Sequence, residues 1–173
     1  MLHTSGAKEP LDHFVIVRFI RTKGFVSDGI RFVTHSYINH VEFGTPRKTW
    51  IGAHAITGIK DNLYDYTEVE WERRYRVPLT ETQYNTLMKS NDEALGTPYN
   101  YKAVVGIFFN DHNLSAKGTD ECAQFVFSQL WNVEVLLGNA LPDFAHFVSP
   151  ELVHFSSYWM GKCVPNTTEI LAA

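Results

Sequence analysis

Only two cysteines, Cys122 and Cys163, occur in 173 residues, too few for a disulfide framework. Free thiols in a reducing compartment are the expectation. Basic runs are also missing and the net charge is −4, which argues against a nucleic-acid partner. No apolar stretch approaches the length of a membrane span, so no integral membrane segment is expected. The opening "MLHTSGAKEPLDHF" has no apolar signal region, and a cytoplasmic location follows as the expectation. Repeats, low-complexity segments and linkers are absent as well, which suggests a single domain over 1–173. What is abundant is apolar and aromatic side chain, 45% and 14%, enough to bury a sizeable core.

Periodicity divides the chain into strands first and helices later. "HFVIVRF" (13–19) is a short apolar run and reads as a buried strand. "SDGIRFVTHS" (27–36) predicts a short helix with Ser27 as its cap. "YINHVEF" (37–43) and "TWIGAHAI" (49–56) predict strands joined by the turn "GTPRK". "TEVEWERRYRV" (67–77) alternates as a half-exposed strand of an antiparallel sheet, with its glutamates and Arg74 and Arg76 outward. "LTETQYNTLMKSNDEAL" (79–95) predicts an amphipathic helix. Thr80 and Gln83 form its capping box, and Tyr84, Leu87, Met88 and Leu95 its inner stripe. Helices are also expected at 102–109, from Thr119 or Asp120 through Leu130, and from 149 onward. The class is α+β, an antiparallel sheet packed against helices.

Chemistry centres on Cys122, in the first turn of the helix "TDECAQFVFSQL". A helix N-terminus offers unpaired N–H groups and a positive dipole end, which favour a thiolate and can receive an oxyanion. Asp120 and Glu121 oppose a thiolate if their carboxylates lie close, and a free cysteine is by itself more often a core residue. A nucleophilic thiol needs a base. Of eight histidines, His40 in "NHVEF" and His54 in "GAHAI" fall on adjacent predicted strands, each opposite apolar neighbours. Together with Cys122 they fit a nucleophile, base and orienter arrangement.

The segments "TDECAQFVFSQL" and "LGTPYNY" resemble the D-C-S-x-F-V and G-x-x-Y elements of NlpC-type cysteine peptidases. Here the histidine strand precedes the cysteine. That order resembles the circularly permuted branch, the YiiX-like and YaeF-like papain-fold proteins, and more distantly the lecithin:retinol acyltransferase group. "GFVSDGIRFVTHSYINHVEF", "WIGAHAITGIK" and "FVSPELV" fit the same order, so the resemblance spans about 14–153. It implies a permuted papain-like fold, Cys122 as nucleophile, His40 as base within hydrogen-bond reach of the sulfur, and Tyr99 lining the substrate site. Many permuted members carry Glu or His where this chain has Gly52, and Ala123 stands where a serine often follows the cysteine. His54 lies on the same strand face as Gly52 and is the expected third residue. Glu42 shares a face with His40 and is its rival, and otherwise an expected substrate contact. Two residues along one strand lie about 6.5 Å apart, so Glu42 must bend back to reach His40.

The resemblance implies an amide hydrolase acting on peptidoglycan peptides or other amides, without cofactor or metal, in a cytoplasmic or phage-encoded setting. A lipid acyltransferase or thioesterase would use the same groups with different pocket walls, and a binding module would keep only the cleft. A metal site of His35, His40 and Glu42 matches no standard ligand spacing. Oligomeric state is not encoded in any recognisable pattern.

Overall fold

The computed structural model describes residues 9–34, 36–62, 68–100, 102, 122–133 and 164–166. In chain order these form β1 (His13–Thr22), α1 (Phe25–Thr34), β2 (His40–Gly44), β3 (Trp50–His54), β4 (Gly58–Asn62), β5 (Val69–Leu79), α2 (Glu81–Glu93), α3 (Cys122–Asn132) and β6 (Val164–Asn166). The strands make one antiparallel sheet ordered β4-β3-β2-β1-β5-β6. The α+β class expected from the sequence is what the chain adopts.

β1 sits between β2 and β5, and most of its residues are buried on both faces, which is why "HFVIVRF" reads as apolar throughout. The pleat then sorts side chains. Val15, Val17 and Phe19 share one face with Val41, Phe43, Tyr75 and Val77, and all of these are buried. The helices cover this face. Phe43 meets Phe125 of α3 edge-on at 5.9 Å between centroids. Ala123, Phe125, Val126 and Leu130 join the same cluster, with Leu87 from α2. Gln83 of α2 donates to the Val133 carbonyl at 2.8 Å and ties the two helices together. Thr80 caps α2 through the reciprocal capping box with Gln83 that the sequence predicts.

Several boundaries differ from expectation. β2 begins at His40 rather than 37, because Ser36 bonds Ile38 in a local turn and Asn39 bonds β1 through its side chain. α1 starts at Phe25, so Ser27 lies inside it and contacts Thr22 instead of capping. Leu95 lies past the end of α2 and is exposed. β4 was not legible. Its first residue, Gly58, has φ +71, and a Cβ there would lie 2.2 Å from the Thr97 carbonyl, so only glycine fits. Glu72, expected outside, is buried. The expected helices over 102–109, of which only Lys102 is described, and from 149, together with His35, Thr119, Asp120 and Cys163, lie outside the described residues.

Candidate functional site

The second face of the sheet carries the polar groups. Strand register sets Arg74, Arg18 and Glu42 in one row across β5, β1 and β2. The next row holds Glu72, Ile20 and His40. Continuing the β2–β3 register, Phe43 to Ile51 and Gly44 to Trp50, sets Gly52 opposite Glu42 and His54 opposite His40.

Arg18 and Glu42 are both fully buried and form a cross-strand ion pair, the guanidinium Nε donating to Glu42 Oε1 at 2.7 Å. Its Nη2 contacts the same oxygen. Burying one of these charges alone would cost several kcal/mol, on the order of 3–5, so each requires the other. Glu72 reaches Arg18 at 3.8 Å and also bonds Arg74, which separates the two like charges facing each other across the strands. Trp50 lies beneath both guanidiniums, 3.8 Å from that of Arg18 and 5.1 Å from that of Arg74.

The other carboxylate oxygen of Glu42 lies 3.2 Å from His40 Nε2. Glu42 does bend back along its own strand, and Gly52 makes this feasible. A Cβ at Gly52 would sit 2.9 Å from Glu42 Cβ and 3.4 Å from His40 Nε2, so the missing side chain is the space into which the imidazole leans. Burial pushes the Glu42 carboxyl up, but the hydrogen bond and charge of His40, with the Arg18 guanidinium, outweigh it and hold the group below its ordinary value. His54 packs its ring against His40, centroids 4.8 Å apart and tilted by 44°, and also contacts Asn62. Burial, reinforced by the charge of His40, pushes the His54 imidazole down to about 4, so it is uncharged at neutral pH. Thus Glu42 supplies a carboxylate to His40, while His54 lies tilted beside it.

Cys122 is buried, and its sulfur lies 3.9 Å from the carbonyl oxygen of Asn39, the residue before His40. Asn39 is pinned to β1, its side chain accepting from Thr22 N at 2.8 Å and its backbone N–H donating to Ile20 O at 3.1 Å. α3 covers the Val41 and Phe43 face, whereas His40 and Glu42 belong to the other. Cys122 therefore meets β2 at the backbone of Asn39, next to the histidine. Tyr99 is buried in the same apolar cluster as Cys122. A cavity of about 850 Å³ opens elsewhere, lined by His13, Lys48, Trp50, Arg74 and Tyr84 among others, and includes none of the predicted site residues.

Arg18 is the member that sequence reasoning missed. Its signal was present: a lone cation in an apolar strand buried on both faces must have a buried partner. No protein-family model matches the chain, and no curated protein matches it.

Proposed function

We propose that this protein is a cysteine hydrolase of amide bonds on a permuted papain-like fold, with Cys122 as nucleophile, His40 as base and Glu42 holding the base. One observation supports it above others. Cys122 of α3 meets the backbone immediately before a histidine whose ring contacts a buried carboxylate at 3.2 Å. In this reading His40 accepts the thiol proton and the sulfur bonds to the substrate carbonyl carbon. The C–N bond breaks, and the leaving amine takes the proton from His40. Water, deprotonated by His40, then cleaves the thioester and returns the thiol. This reading requires the His40 ring to come within hydrogen-bond reach of the Cys122 sulfur in the substrate complex. Peptidoglycan peptides are the first substrates to try, on the strength of the resemblance.

The rival reading is a non-catalytic module, and the burial of Cys122 against a backbone carbonyl favours it. A panel of cell-wall peptides and acyl thioesters separates the readings. Turnover of an amide that is lost in Cys122→Ala and kept in Cys163→Ala supports the hydrolase. Preference for thioesters moves it to acyl transfer. Equal activity of Cys122→Ala and wild type removes Cys122 from the chemistry.

A further inference from the structure

We propose that His40, Glu42 and His54 form a binding site for a zinc-class divalent cation. One ligand atom from each lies within 4.8 Å of the other two. Donors about 2.1 Å from a tetrahedral zinc are about 3.4 Å apart. His40 Nε2 and Glu42 Oε2, at 3.2 Å, already have that spacing. Only His54 must close in, by rotation of a half-buried ring on a strand that stays fixed.

The linear sequence hid this set. His54 is brought in by strand pairing rather than by spacing within a motif. The neighbours behave as outer partners of a metal site. Arg18 holds Glu42 through Oε1 and leaves Oε2 directed at the histidine. Asn62 contacts His54 Nε2. With its amide oxygen turned to the ring, it accepts from that N–H and fixes the tautomer in which the other ring nitrogen is the donor to a metal. Gly52 keeps the floor open. Two imidazoles and one carboxylate are borderline donors that select zinc over calcium or magnesium, which prefer all-oxygen sites. The charges of Arg18 and Lys60 oppose a dication here, and the carboxylates of Glu42 and Glu72 offset them.

A consequence follows that rests on the hydrolase reading: zinc on His40 Nε2 replaces the proton that this nitrogen shares with Glu42 and leaves the ring proton on Nδ1, the nitrogen that must accept from the thiol, so the bound ion inhibits turnover. Binding itself does not depend on that reading. The experiment is equilibrium dialysis of the untagged, chelator-treated full chain against zinc chloride, followed by cobalt(II) spectroscopy. The expected result is one zinc per chain, with affinity reduced about 10- to 100-fold in both His54→Gln and Glu42→Gln and unchanged in Cys122→Ala. Circular dichroism confirms folding of each variant. His54→Gln carries the test if loss of the Glu42 charge unfolds the chain. Cobalt should give ligand-field bands without a sulfur-to-metal charge-transfer band. No stoichiometric zinc in wild type, undiminished affinity in folded His54→Gln, or a sulfur charge-transfer band that vanishes in Cys122→Ala overturns the proposal. A failed substrate panel leaves it standing.

Discussion

Gly52 decides how His40 is held. Read as a sequence position it is an empty place where the resemblance leads one to expect an orienting side chain. In the fold its missing Cβ lets the His40 ring lean over β3 and meet the Glu42 carboxylate. Gly52→Ala should therefore displace Glu42 and His40 by a good fraction of an ångström. Turnover of the amide substrate is expected to fall by about 10²-fold while the chain still folds. Unchanged kcat in a folded Gly52→Ala variant would show that the contact is unimportant. The two candidate orienters separate in the same assay. Glu42→Gln should lower kcat by about 10²- to 10⁴-fold, because an amide cannot stabilise the imidazolium, and His54→Ala should cost less. The reverse order would return the role to His54. Spacing alone names both candidates and does not choose between them. The strand interval sets Glu42 about 6.5 Å from His40 at the backbone, and only the residue opposite determines whether the side chains can converge.

At the scale of elements, α1 is fastened to the sheet by charge. Arg31 bonds Glu70 at 3.2 Å, and Glu70 also accepts from Arg21 at 2.7 Å. Burial pushes the Glu70 carboxyl up, but the hydrogen bond from Arg31 and the charges of Arg21 and Arg31 win and hold it below its ordinary 4.5. A carboxyl depressed on folding contributes its stabilisation above the ordinary value, and that contribution fades as pH falls through the folded value. Amide protection in α1, corrected for intrinsic exchange, should then fall relative to β1 as pH drops below 4.5. Glu70→Gln should show the lowered protection at every pH. Equal protection of wild type and Glu70→Gln at pH 7 would mean that apolar contacts alone hold the helix. Elements with local signatures were legible. The α2 capping box is written in Thr80 and Gln83, and β5 in its alternation. β4 was not, because "GIKDN" has one strongly apolar residue and exists as a strand through its pairing with β3.

For the whole molecule, the sheet separates two kinds of surface. One face is apolar and covered by α2 and α3. The other carries a buried polar row that ends at His40 and His54. The apolar face was readable from periodicity, and so was the α+β class. The polar face was not, since Arg18, Glu42 and Glu72 come from three strands and gain meaning only when registered together. Among the described residues no helix is long and apolar enough to cross a membrane.

The central claim is that Cys122 is an activated nucleophile rather than a core thiol, and one comparison addresses it directly. The rate of iodoacetamide alkylation of Cys122 near neutral pH is measured by peptide mapping, in the folded protein and in the same chain unfolded in urea. An activated thiolate reacts faster folded than unfolded, and His40→Ala abolishes that advantage. Slower alkylation of Cys122 in the folded protein than in the unfolded chain, with no response to His40→Ala, would contradict the account.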